Sequence, residues 1–150
     1  VSDLKEQLRA DLTTAMKSRD ELRTATLRMV LAAVSAEEVA GKEARELSDD
    51  EVQTVLRREA KKRREAADAF TAAGRVEQAD RERAEGDVVA AYLPAQLEDT
   101  DLAALVAGVI TRTGAGGMQD MGRVMGAVQA EVAGRAEGGR VAAEVRRQLG

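Results

Sequence analysis

Residues 48–74 read SDDEVQTVLRREAKKRREAADAFTAAG, and they decide the fold class. Ser48 with Glu51 forms a capping box, in which the serine hydroxyl accepts from an early backbone N–H and the glutamate reaches back to the serine N–H. Val52, Val55, Leu56, Ala60, Ala67 and Phe70 follow at spacings that place them on one helix face. Gly74 supplies the residue type on which helices commonly end. A helix therefore runs from the capping box to about Ala73.

The same pattern continues in both directions. Upstream, Asp3 to about Lys17 sets Leu4, Leu8, Leu12, Ala15 and Met16 on one stripe. Asp20 is the expected N-cap of a second helix, Leu22 to Val39, which Gly41 ends. Leu27, Met29, Val30, Leu31, Val34 and Val39 wrap more than one of its faces, which predicts a central helix. Downstream, a fourth helix from about Val76 to Tyr92 has only Val76, Ala79, Ala84, Val88 and Tyr92 for an inner face, and Gly86 weakens it.

Pro94 is the only proline in the chain. It lacks an N–H and drives Leu93 out of helical conformation, so the chain turns there. The predicted architecture is all-α: an N-terminal four-helix bundle, residues 1–93, followed by a small three-helix C-terminal domain, residues 94–150. In that domain Asp99 or Thr100 caps a helix with Leu102, Leu105, Val106, Val109 and Ile110 inward. Residues 114–117 form a loop, Asp120 caps the next helix, and a last helix from about Gly139 buries Val141, Val145 and Leu149.

Composition narrows the function. The 150 residues include no cysteine and no histidine, which excludes disulfides and thiolate metal sites and removes the commonest general base near neutral pH. Ser2, Ser18, Ser35 and Ser48 do not lie in a glycine-flanked elbow. The glycines at 114–116 lack both a preceding strand and a phosphate-loop lysine. Glu37-Glu38 and Asp49-Asp50 lie where exposed helical acids are expected. No catalytic constellation, metal site or cofactor is predicted. A net charge of −4 opposes a strongly basic nucleic-acid coat, and no DNA partner is expected. Phe70 and Tyr92 are the only aromatics, too few for the stacking platforms of most single-strand readers. The acidic N-terminal stretch is unlike a signal peptide, no stretch is apolar enough to span a membrane, and a cytoplasmic location is the expectation.

Two stretches stand out against this background. Arg57, Lys61 and Arg64 share one helical stripe and Arg58 and Lys62 the next, a candidate phosphate-contacting ridge. Glu59, Glu65 and Asp68 are interleaved at pairing distances, so a solvated face is the favoured reading of these residues. The second stretch is Asp120–Gly139, DMGRVMGAVQAEVAGRAEGG. Met121, Val124, Met125, Val128 and Val132 define a helix face, and Gly122 and Gly126, four apart, are expected on that face. Glycine costs about 1 kcal/mol against alanine inside a helix, so two of them imply close contact with another backbone, with packing inside the small domain favoured. Residues 120–150 carry five arginines against four acids, which makes this the comparatively basic end. A helix start at Gly139 would offer free N–H groups to a phosphate.

DMGRVMG, the glycine-bounded turn GRAEGG, the YLPAQL boundary and the VLRREAKKRREAADAF helix together resemble the GatB/YqeY family over essentially the whole chain. The family is similar to the tail of the B subunit of the glutamine-dependent amidotransferase that amidates misacylated Glu-tRNA or Asp-tRNA. There the tail helps hold tRNA, and the kinase and amidase chemistry lies elsewhere. The resemblance implies a helical bundle followed by a small helical domain. It also implies a non-catalytic protein that binds tRNA or associates with a tRNA amidotransferase or aminoacyl-tRNA synthetase complex. Its tRNA- or partner-facing residues are Gly122, Arg123, Gly126, Gly134, Arg135, Gly138 and Arg140. Family members often carry a proline and lysines where this chain reads Gln129-Ala130-Glu131-Val132-Ala133-Gly134, so Glu131 counts against a phosphate contact. The alternatives are a helical protein-interaction module and carbon–nitrogen ligase activity with glutamine as amide donor.

Overall fold

The structure, a computed structural model, describes residues 2–150, and among these residues it contains seven α-helices and no strand. The helices are α1 (Asp3–Lys17), α2 (Glu21–Glu38), α3 (Asp49–Ala72), α4 (Val76–Ala90), α5 (Asp99–Thr113), α6 (Met121–Val132) and α7 (Gly138–Leu149), with a short 3-10 turn at Met118–Asp120. No described helix is long and apolar enough to cross a membrane. Two compact units result: the first ends at Leu93 and holds α1–α4, and the second is Pro94–Gly150 and holds α5–α7.

In the first unit Leu8 of α1, Leu27, Val30 and Val34 of α2, Val52, Val55 and Leu56 of α3, and Val88 and Val89 of α4 form one buried cluster. Burying each such side chain contributes roughly 1.5–3 kcal/mol. Ser48 and Glu51 make the capping box of α3, and Asp20 caps α2 by accepting from Arg23 N–H. Gly74 follows α3 with φ +75°, a left-handed conformation that glycine adopts without steric cost.

Polar groups at one end of this unit also tie its helices together. The Ser2 hydroxyl accepts from Lys5 N–H and donates to the Asp49 carboxylate, which also accepts from Leu4 N–H at 3.1 Å. Lys5 Nζ donates to both Glu38 oxygens at 2.9 Å, and Glu38 also accepts from Leu47 N–H at 3.4 Å. Asp49 and Glu38 are therefore anchors between elements, where the sequence suggested only exposed helical acids. A local pattern shows neither role, because each partner comes from another part of the chain.

Other expectations are corrected. α2 ends at Glu38, short of Gly41, because the chain turns there into a loop that buries Leu47. Met29 of α2, Val39 just past its end and Met16 of α1 remain exposed. In α4 Val76 is 62% exposed and Ala84 only half-buried, while Glu85 is buried beside Ala79, Val88 and Val89. Its inner face is partly ionic. Arg63 Nε of α3 lies 3.4 Å from a Glu85 oxygen, and Arg63 also faces Glu59 at 4.0 Å. Gly86 lies alongside, where an added methyl would sit 3.5 Å from Arg63 Cβ.

The second unit encloses Leu102, Val106 and Val109 of α5, Val124, Val128 and Val132 of α6, and Val141 and Val145 of α7. Glu98 occupies the cap position of α5 without a side-chain bond, and Asp99 instead pairs with Arg140 at 2.8 Å. Asp120 stands at the cap of α6, but its carboxylate turns back to accept from Gly116 N–H at 2.9 Å.

The anchors predict acid sensitivity. The Lys5 hydrogen bond holds the Glu38 carboxyl below its ordinary value, Ser2 does the same for Asp49, and Arg45 brings Glu51 down to about 2. A carboxyl whose pKa is lowered by folding stabilises the fold fully above its unfolded value, and that contribution disappears as pH falls through the folded value. Denaturation midpoints should therefore fall from about pH 4.5 towards pH 2. Glu38→Gln should flatten that fall, and an unchanged pH profile would contradict the anchoring role.

Candidate functional site

The helix-face pattern of Met121, Val124, Met125, Val128 and Val132 aims α6 into the core of its unit, which leaves Gly122, Arg123 and Gly126 exposed to solvent. A Cβ built on Gly122 or Gly126 meets nothing within 4 Å. The expectation that these glycines admit a neighbouring helix is therefore overturned: they face outward, off the contact stripe. The solvent side of α6 is a low backbone surface continued by exposed Ala130.

Ala133 and Gly134 are both left-handed, with φ +49° and +82°, and the helix ends through them. Gly134 thus has a conformational role.

The arginines expected to face a partner are all engaged within the unit. Arg123 donates to Thr113 C=O at 2.7 Å and pairs with Asp120 at 3.0 Å. Gly116 N–H and Arg123 together hold the Asp120 carboxyl below its ordinary range. Arg135 donates from Nε to Val132 C=O at 3.0 Å and from Nη2 to Glu131 C=O at 2.9 Å, satisfying carbonyls at the end of α6. Arg140 donates to Leu97 C=O and to Asp99, both at 2.8 Å. Leu97 N–H in turn donates to Arg135 C=O at 2.6 Å.

Arg135 and Arg140 therefore lace the segment after Pro94 to the α6–α7 turn, a role that requires knowing which carbonyls come close. Glu131 pairs with Arg112 of α5, so its charge is compensated locally. Gly138 opens α7 and is exposed, and Glu137 precedes it at the cap position without a side-chain cap bond.

The chain matches the Yqey-like protein family over residues 5–149. It is a member of the YqeY-like family. No curated protein matches it significantly. The family match spans both units, so the open glycine face of α6 and the basic stretch of α3 both lie inside it.

Except for Arg63, the basic residues of α3 are on its solvent side. Arg58, Lys61, Lys62 and Arg64 are exposed and Arg57 is half-exposed. Arg57 donates to Thr54 at 3.2 Å, Arg58 pairs with Glu37 of α2 at 3.1 Å, and Lys61 faces Glu65 at 3.9 Å. An open hollow of about 470 Å³ near the α1–α2 turn, which the sequence did not signal, is lined by Met16, Arg19, Glu21, Thr24, Ala25 and Arg28. It includes none of the candidate residues.

Glycine geometry gives a prediction with opposite signs. Gly122→Ala and Gly126→Ala should each stabilise the protein by about 0.5–1 kcal/mol, since α6 gains helix propensity without a clash. Gly134→Ala should cost about 1 kcal/mol, because it places a Cβ in the left-handed region. Urea titration of the three variants measures both effects, and a loss of stability in Gly126→Ala would restore the internal-packing role.

Proposed function

We propose that this YqeY-like protein is a non-catalytic recognition protein that engages tRNA through the solvent face of α6, alone or beside a tRNA-amidotransferase complex. The open position of Gly122 and Gly126 carries this reading. Two glycines in a helix forgo roughly 1–2 kcal/mol against alanine, and no internal contact accounts for them. What they leave is a flat strip of backbone that a ribose–phosphate chain can approach closely, bordered by Arg123. Pairing Glu131 with Arg112 reduces the repulsion that an unpaired acid would present to phosphate.

A protein partner is the second reading. Its support is that Arg123, Arg135 and Arg140 already donate to carbonyl groups of this chain, which leaves shape more prominent than charge on this face. Amide formation from glutamine, ATP and charged tRNA by the purified chain is not expected.

Titration of bulk tRNA at two salt concentrations separates the readings. The tRNA reading expects binding that weakens with salt as neutralised phosphates release counterions. It also expects Gly122→Ala with Gly126→Ala to weaken that binding at least several-fold while the protein becomes more stable. Absence of tRNA binding at low salt would leave the protein-partner reading.

A further inference from the structure

The first unit holds a concavity that its core does not use. Glu21, Thr24, Ala25 and Arg28 recur at spacings of three and four along α2, so they share one face of it. Met16, from the last turn of α1, and Arg19, from the turn that follows, complete the lining of the hollow of about 470 Å³. Small-ligand sites fall in the same size range, roughly 300–1,000 Å³. Met16 is 43% exposed, so its adaptable thioether, with the half-buried Ala25 methyl, leaves apolar surface to water inside the hollow.

The polar groups of the hollow are short of partners within the chain. Arg28 donates to Met16 Sδ at 3.3 Å, a weak acceptor for a guanidinium. Among the described residues neither Arg28 nor Arg19 nor Glu21 has an ion pair. The Thr24 hydroxyl also lacks a hydrogen bond among these residues, whereas that of Thr26 donates to Leu22 C=O at 2.8 Å. Arg19 is left-handed, with φ +58°. α3 and α5 end through glycines in that conformation, Gly74 and Gly114, and an arginine there bears a steric cost that glycine avoids. An arginine kept at such a position, on the edge of a hollow, points to a use for its side chain.

We infer that this hollow binds a small monocarboxylate with an apolar body. Glu21 and Arg28 are two helical turns apart, about 10 Å along the axis, which keeps their charges at opposite ends. Arg19 precedes Glu21 in the turn and offsets its charge, so the lining carries one net positive charge, at the Arg28 end. Lys17 and Asp20, which flank the lining, cancel, and Arg23 is hydrogen-bonded to Tyr92. A single excess charge matches one carboxylate and falls short of a phosphate dianion or a polyphosphate. The Arg28 fork supplies paired donors for the carboxylate oxygens, the Thr24 hydroxyl lies one turn away, and Met16 and Ala25 take the apolar body. The site belongs to the first unit and is independent of the α6 face.

Proton–nitrogen correlation NMR of the full chain, titrated with hexanoate or benzoate, tests the site. Amide shifts should saturate around the hollow with a Kd of about 1–10 mM, which a ligand of about eight heavy atoms reaches at ordinary efficiency. Acetate lacks the body, benzyl alcohol lacks the charge and inorganic phosphate carries too much of it, so each should bind at least about tenfold more weakly. Arg28→Gln, an exposed site where Gln keeps helix propensity, should weaken benzoate by about fivefold or more. Arg19→Gly should weaken it by about threefold without lowering the urea midpoint, because glycine accepts the left-handed backbone. Glu21→Gln removes a like charge and should tighten benzoate by about twofold. Arg75→Gln, at an exposed arginine of the α3–α4 turn, makes the same charge change as Arg28→Gln and should match the parent.

The inference is overturned if neither carboxylate produces saturating shifts below about 50 mM, if the shifts map outside the hollow, or if Arg28→Gln behaves as Arg75→Gln does. It is also overturned if phosphate binds as tightly as benzoate. Benzyl alcohol matching benzoate would overturn it too, and would mark the hollow as a slot for a partner's apolar side chain.

Discussion

One guanidinium organises the first unit. Arg63 is almost withdrawn from solvent between α3 and α4, with Glu59 on its own helix and Glu85 on the facing one. Buried charges of this kind are costly unless paired, so the two helices are held in the register that brings the three groups together. Sliding α4 by one turn would carry Glu85 away from Arg63, while Glu59 would stay beside Arg63 on the same helix. The alanines beyond it, Ala67 and Ala79, are almost fully buried.

That internal pairing also shapes the outside of the molecule. Glu59 is itself buried yet pairs with exposed Lys62 at 3.2 Å, and Glu85 is shared between Arg63 and Arg81. Interior electrostatics and surface charge are thus set by the same residues. The second unit follows a different logic. Its core is built mainly from valines, its arginines satisfy carbonyls at helix ends and turns, and its most unusual surface, the α6 strip at Gly122 and Gly126, is defined by missing side chains.

Helices with strong local signals were legible in the sequence. The Ser48–Glu51 box, the Asp20 cap, Gly74 and the α6 stripe all act within a few residues of themselves, and the structure places them as their spacing implies. Readings that required a partner from a distant part of the chain were less secure. Val76 was expected inside because α4 had few apolar residues to choose from, and the inner face instead recruits Glu85. The glycines of α6 are unusual for a helix interior, but sequence spacing does not give their direction. A spacing of four shows that Gly122 and Gly126 share a side of the helix, and only the position of the core shows that this side is open.

The sequence by itself determined that the chain is helical, where most helices begin and end, and its family membership. These properties follow from capping chemistry, periodicity and a residue pattern carried along the chain. Tertiary structure decided which charges remain on the surface, which arginines serve the fold, and whether the α6 glycines meet a neighbour. Those outcomes depend on distances between residues far apart in sequence, such as Arg63 and Glu85, Arg140 and Leu97, and Lys5 and Glu38. Burial and pairing are properties of such distances, and local spacing does not contain them.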